Sequence, residues 1–417
     1  NGGGGTANLV KAGNGTLTLS ASNTYTGTTA INAGDLTVSG SLHDSTAVSI
    51  ASGADYNVNA SDTVASIEGA GDIVLASSQT LTAGDGNNKT LSGVMSGAGN
   101  YIKAGGGTQT LSASNTYTGT TQVSAGTLTV SGSGRLSDST AVTVDSGATY
   151  NVAVSDTVAS IAGAGSITLG SNTLTSGGSD ASTTFSGVMS GTNGNIVKAG
   201  SGTLTLTGNN SYTGSTTISA GLLKILRDNP TAYLAATSGF TGPGNLTIES
   251  AGGNFTADIV TGTHVQLAGT ALGNLIIGKA GNTRQIDLSS NITTTNIQTY
   301  NGPVRLVGGD RTVATTNSNV VFASTVNSDG SARALTVTNG TGDTTFSGAI
   351  GGSAPVSTLT ITSDQLTAGA ITLNGALTAT LGGSSTISGV IANGGGGTAN
   401  LVKAGNGTLT LSASNTY

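Results

Sequence analysis

The sequence predicts an all-β fold, a parallel β-solenoid of about 20 residues per coil. Three observations carry that prediction. Short runs alternate apolar and polar residues, as in Thr16-Leu17-Thr18-Leu19 and Val142-Thr143-Val144. Equivalent runs recur at a near-constant spacing, 19 residues from Leu17 to Leu36, 19 from Leu246 to Val265 and 18 from Ile286 to Val304. Whole blocks of sequence then repeat.

The alternation comes first. A period of two puts one face of a short strand in a core and the other in water. It returns at Leu36-Thr37-Val38, Val48-Ser49-Ile50, Leu246-Thr247-Ile248, Leu335-Thr336-Val337, Leu359-Thr360-Ile361 and Ile371-Thr372-Leu373. Clusters of Gly, Asn, Ser and Asp separate these runs, as turns require. Leu222–Ala236 is the one candidate for a helical turn. A barrel or sandwich closes after a limited number of strands, whereas this pattern continues through all 417 residues. A solenoid needs no closure, because each coil buries its apolar face on its neighbours.

Composition removes the competing classes. There are 68 Gly and 71 Thr, and charged residues make up 8%. Gly does not fall at every third residue, so the chain is not collagenous. Val, Ile and Thr are abundant at a net charge of −6, unlike a disordered chain. A coiled coil needs Glu-rich heptads, and Glu occurs only at Glu68 and Glu249. No apolar run approaches the ~20 residues of a membrane-spanning helix. Without Cys there is no disulfide framework and no thiolate metal site. The 13 Lys and Arg are scattered and outnumbered by 19 Asp and Glu, so no nucleic-acid partner is expected.

The repeats operate on two scales. Asn1–Tyr25 and Asn393–Tyr417 are identical, at an offset of 392 residues. The chain therefore reads as a window on a longer polypeptide built of tandem 392-residue units. At ~4.8 Å per strand, each unit is expected to hold roughly 19 or 20 coils and to extend about 90 to 100 Å. Within the unit, Leu9–Val38 returns as Tyr101–Val130 and again as Ile196–Lys224. Leu91–Gly97 (LSGVMSG) returns at Phe185, Phe346 and, more loosely, Ile387. The expected blocks are 1–93, 94–187 and 188–392, the last diverging over 226–340, with 393–417 opening the next unit.

The motif L-V-K-A-G-x-G-T-L-T-L-S-x-x-N-T-Y-T-G, continued by A-G-x-L-x-V, resembles the passenger-associated transport repeat of bacterial autotransporters. Four windows match, at Leu9–Val38, Tyr101–Val130, Ile196–Lys224 and Leu401–Tyr417. Asn319–Gly352 is more loosely similar to large filamentous haemagglutinin-type adhesins. The resemblance implies a right-handed β-helix exported to the surface of a diderm bacterium. Passengers of this family act as adhesins, biofilm proteins, scaffolds or carriers of an enzyme domain.

No constellation of residues points to catalysis. His43 and His264 stand far apart, and no G-x-S-x-G elbow accompanies them. Asp residues are mostly single, in turn contexts such as Gly34-Asp35 and Asp85-Gly86, and are read as turn formers rather than as paired acids for glycoside cleavage. Gly84–Asn88 and Asn327–Gly330 are isolated, not a calcium-binding series. The Gly runs Gly2–Gly5 and Gly394–Gly397 lack the Lys-Ser/Thr ending of a phosphate loop. Lys11, Lys103 and Lys198 are expected to cover coil edges with charge that discourages lateral pairing rather than to contact a ligand. Tyr25, Tyr117 and Tyr212 are expected to pack at coil corners rather than stack on glycans. Leu222–Gly244 is the least solenoid-like stretch, either a bulged coil or a loop that contacts a partner.

No catalytic, cofactor or metal residue is assigned. The function expected is a structural, extracellular, surface-displayed fibre. Its partner is expected to be other copies of itself, end to end or laterally, with a glycan or host surface as the further possibility. An adhesin recognising a specific ligand is the second reading, and a polysaccharide-acting enzyme on a β-helix the third.

Overall fold

Each coil places one strand on each of three faces. Ala47–Ile50, Ala54–Val58 and Asp62–Val64 make one circuit, and Ser66–Gly69 returns to the first face. In this computed structural model residues 6–229, 239–263, 265–267, 272–395 and 397–417 are described. Every strand pairing among them is parallel, and no helix is present. The expected parallel β-solenoid is the fold. The chain divides into two compact units, Asn1–Gly214 and Ser215–Tyr417.

In the first unit one ladder of ten strands begins Leu9–Lys11, Thr29–Ile31, Ala47–Ile50, Ser66–Gly69 and ends at Val188–Ser190. A second ladder runs from Thr16–Leu19 through Gly34–Val38, Ala54–Val58 and Asp72–Leu75 to Met95–Gly97. A third includes Asp62–Val64, Thr80–Ala83, Asn100–Lys103, Thr121–Val123 and Ala141–Val144. Register fixes the coil length, with Thr80 opposite Asn100 and Ala141 opposite Ser160. Inward positions are apolar because the pleat sends alternate side chains into the coil. Leu36, Tyr56 and Ile73 form one inward row, and Leu111, Val130 and Val152 another, all fully buried.

The second unit repeats the plan with coils of more variable length, some as short as Ile286 opposite Val304 and others longer. Leu246 lies opposite Leu275, and Val320 opposite Thr344. One of its ladders is Ile292–Thr294, Arg311–Thr315, Leu335–Thr338, Leu359–Ser363, Ala376–Leu381 and Asn400–Ala404. Its core holds an aromatic column. Tyr300, Phe322 and Phe346 occupy one register position on successive strands, with ring centroids 5.1 and 4.8 Å apart and nearly parallel planes.

Leu222–Leu226 corrects one expectation. It is a strand, not a helical turn, and pairs with Asn245–Glu249 over five residues. Leu223 and Ile225 are buried by that pairing, so alternation decides over the helix-favouring Leu and Lys. Most of the remaining stretch up to Gly239 lies outside the described residues.

The motif glycine after Lys-Ala turns the corner. Gly105 has φ +66°, and a Cβ there would sit 2.4 Å from the Asp85 carbonyl oxygen of the preceding coil. Only glycine tolerates both conditions.

Candidate functional site

The residues that define the repeat form a set of bonds between coils. Lys103 is 1% exposed, and its ammonium donates to the carbonyls of Ala104 at 2.6 Å, Gly105 at 2.9 Å and Ala125 at 3.1 Å. The first two belong to its own corner and the third to the next coil. Lys11 repeats this with Gly13 and Ala33, each at 2.7 Å. Lys198 reaches Ala199 at 2.5 Å and Gly200 at 2.8 Å. Burial pulls the Lys103 and Lys198 ammonium groups below the usual lysine range. The expectation that these lysines shield coil edges is therefore wrong. Their corners expose carbonyls that have no strand partner, and the ammonium turns inward to satisfy them.

Asparagine holds the next corner. Asn115 accepts from the Met95 amide at 2.9 Å and donates to the carbonyls of Ala113 at 3.0 Å and Arg135 at 2.7 Å. It thus touches the coil before and the coil after. Asn210 accepts from the Met189 amide at 2.8 Å and Asn415 from the Ile391 amide at 2.8 Å. The tyrosine two residues on packs inward at Tyr117 and Tyr212, as expected, is half-buried at Tyr25 and is exposed at Tyr417. The hydroxyls of Tyr25 and Tyr117 meet Thr29 and Thr121 at 2.6 and 2.5 Å. Tyr117 is fully buried and Tyr212 nearly so.

A second pair recurs between the repeats. Tyr56 donates to Asp62, which also accepts from the amides of Leu42 and Thr63. Tyr150 and Asp156 reproduce it, with the amides of Leu136 and Thr157. Burial raises both carboxyls above the ordinary range, against the lowering effect of the hydrogen bonds they accept.

The other singled-out residues remain apart. His43 Nδ1 accepts from the Ser45 amide within a turn. His264 lies outside the described residues, as do Gly2–Gly5 and one glycine of the 394–397 run. Asp85 accepts from Asn87, backbone and side chain, so it is a turn former. Asp329 binds Arg333 and the Gly308 amide, which hold its carboxyl well below the usual range. Asp35 is not in a turn. It sits in the strand Gly34–Val38, and Asp35, Asp55 and Asp72 share one register position on adjacent strands. Their spacings of 20 and 17 residues hid that row, because the intervening corners differ in length. Among the described residues no group of three or more His, Asp or Glu could hold a metal ion. No helix among them is long and apolar enough to cross a membrane.

Outward positions carry hydroxyls. Thr336, Thr360 and Thr378 form one row, and Thr338, Thr362 and Thr380 a second, on the face opposite buried Val337, Ile361 and Ala379. Thr108, Thr127 and Thr149 form another in the first unit. Such rows offer methyls and hydroxyls at ~4.8 Å intervals without charge.

A family model described as the passenger-associated-transport repeat matches residues 9–38, 102–130, 196–225 and 401–417. The chain carries passenger-associated transport repeats. These are the windows whose Lys and Asn tie coil to coil. Over 267 residues, 60% of its length, the chain is 33% identical to the adhesin BmaC autotransporter of Brucella suis biovar 1 (strain 1330). It spans 7% of that relative's length. The resemblance to an autotransporter passenger is thus found in both comparisons. No solved structure matches.

The first three transport repeats do not start on one face. The strands bearing Lys11, Lys103 and Lys198 lie in three different ladders. The 92 residues from Lys11 to Lys103 are not a whole number of coils, so the motif rotates about the solenoid from copy to copy.

Proposed function

We propose that this chain is a structural, non-catalytic segment of a surface-displayed, adhesin-type passenger, exported across the outer membrane of a bacterium. One observation carries the reading. The side chains that recur with the transport repeat, Lys103, Asn115 and Tyr117, are buried and bonded inside the solenoid, the first two to neighbouring coils and the third to Thr121 of its own coil, rather than presented to a ligand. The motif serves the stacking itself. The likeness to an adhesin autotransporter supports the passenger setting and the extracellular location. Mechanically, parallel ladders distribute load over many backbone hydrogen bonds, and the paired strands are poor substrates for a protease.

The test uses beads coated with the full chain. A structural segment gives no saturable, competable binding to cells, matrix proteins or glycans, and it survives proteinase K under native conditions. Saturable binding would overturn this reading in favour of a second one, direct adhesion. The specific observation favouring that second reading is the outward threonine rows, a hydroxyl-rich face suited to glycans. Thr336→Lys, Thr360→Lys and Thr378→Lys together would then abolish the binding.

A further inference from the structure

The two identical segments show opposite edges of the same coil. At Asn393–Tyr417 the structure shows the edge facing the preceding coil. Asn400–Ala404 pairs with Ala376–Thr380, and Leu409–Leu411 with Ser385–Ile387. Asn415 Oδ1 accepts from the Ile391 amide at 2.8 Å, and the Thr416 amide donates to the Ile391 carbonyl at 3.0 Å. At Asn1–Tyr25 it shows the edge facing the following coil. Leu9–Lys11 pairs with Thr29–Ile31, and Thr16–Leu19 with Asp35–Val38. Asn23 Nδ2 donates to the Ser41 carbonyl at 2.9 Å, and Lys11 Nζ to the Ala33 carbonyl at 2.7 Å.

These two sets do not compete. One uses the amide oxygen of the asparagine and the other its nitrogen. One uses the leading edge of the strand and the other its trailing edge. Asn115 makes both sets at once, to Met95 before it and Arg135 after it. Asn100–Lys103 likewise pairs on both sides, with Thr80–Ala83 and Thr121–Val123. The partner sequence matches too. The amide held by the asparagine is the last of Ser92–Met95, Ser186–Met189 and Ser388–Ile391, a Ser-Gly-Val-Met/Ile run in each case.

We infer that the coil Leu9–Tyr25 accepts, on the edge opposite Thr29–Ile31, the coil Ala376–Asn393 of a second copy of this 392-residue unit. The register is the one Asn400–Tyr417 displays. Leu9 lies opposite Leu377, Val10 opposite Thr378 and Leu19 opposite Ile387, and Asn23 Oδ1 takes the Ile391 amide. This deepens, and rests on, the structural-segment reading. Backbone pairing supplies the affinity and the asparagine the register, as in strand addition to a sheet edge. The joint also covers a strand edge that would otherwise pair indiscriminately.

The test compares the full chain with a two-unit chain, in which residues 1–392 run directly into 1–417. Hydrogen exchange is followed by mass spectrometry on the peptide LVKAGNGTLTL, which covers 9–19 and 401–411 alike. The single chain holds two copies of this peptide, each paired on one edge. The two-unit chain holds three, of which the central one is at the joint. The expected result is a third of the peptide pool exchanging at least tenfold more slowly, at the rate of 101–111. Absence of that slow third, with peptides of the unit cores unchanged, would overturn the inference. Ligand binding by coated beads would sink the structural reading without moving this exchange rate, so the two failures are distinguishable.

Discussion

The Lys103 ammonium donates across 3.1 Å to the carbonyl of Ala125, 22 residues further along the chain and one coil away. With its bonds to Ala104 and Gly105 it satisfies three backbone acceptors at a corner where no strand can. Lys103→Met keeps the apolar stem and removes all three bonds. The expected cost is about 1 to 3 kcal/mol, read as a lower guanidinium midpoint at unchanged slope. Lys103→Arg does not rescue, because the planar guanidinium cannot aim at three converging carbonyls.

The buried tyrosines divide by their hydroxyl partners. Tyr150 donates to the buried carboxylate of Asp156, whereas the Tyr101 hydroxyl has no partner among the described residues. Tyr150→Phe leaves a buried anion short of a donor and should cost roughly 1.5 to 3 kcal/mol. Tyr101→Phe deletes an unsatisfied group and should be neutral or slightly stabilising. Equal losses at the two sites in thermal unfolding would contradict this division.

The strand pattern and coil spacing behind this fold are legible in the sequence, because a period of two and a period of about 20 are properties of local order. The chemistry of the repeat is less so. Lys11 and Lys103 look like surface charges, since the carbonyls that bury them come partly from Ala33 and Ala125, a coil later. The Tyr56–Asp62 pair was within reach, because it recurs as Tyr150–Asp156 at the same separation of six residues. The acidic row of Asp35, Asp55 and Asp72 was not, because its register depends on corner lengths that vary.

Alkaline pH should unfold the chain through its tyrosines. Burial is the leading cause that raises Tyr56, Tyr101, Tyr117, Tyr150 and Tyr300 above their ordinary 10.0. A raised folded-state pKa contributes stability below the unfolded value and loses it as pH climbs past that value. Each tyrosine then costs about 1.4 kcal/mol per pH unit, and five cost about 7. Lys103 and Lys198, lowered from 10.5, oppose this only until pH passes that ordinary lysine value. The tyrosines win above it. Tyrosinate absorbance, clean in a chain without Trp, should rise with the loss of strand signal rather than before it.

The aromatic column should govern the second unit's stability. Phe322 lies between Tyr300 and Phe346, stacked on both. Phe322→Ala opens a cavity and breaks two stacks, at about 3 to 5 kcal/mol for the cavity alone. Phe322→Leu fills most of the space and loses mainly the stacking, about 0.5 to 1.5 kcal/mol per pair. Calorimetry that ranked the two variants equally would show that the stacking, which both lose, and not the filled volume decides stability there.

Asp55 should be a site where removing a charge stabilises. It stands directly between Asp35 and Asp72 in the ladder. Burial, then repulsion from those two carboxylates, raises its pKa from 3.8. The sign follows from linkage. A carboxyl raised in the folded state favours folding most below the unfolded pKa, and that advantage is lost as pH rises through the folded value. At pH 7 the charged form is therefore a burden that Asp55→Asn lifts. Like charges opposite one another cost roughly 0.2 to 1 kcal/mol, and solvent screening at this half-buried, outward-facing position puts the gain at the low end. The variant should be more stable than the parent at pH 7, equal to it near pH 3, and closer to it in 1 M salt, where the screening length falls to about 3 Å. A gain that persisted at pH 3 would point to strand propensity rather than charge, and a loss at pH 7 would mean that the Asp55 carboxylate is held by a bond stronger than the repulsion on either side.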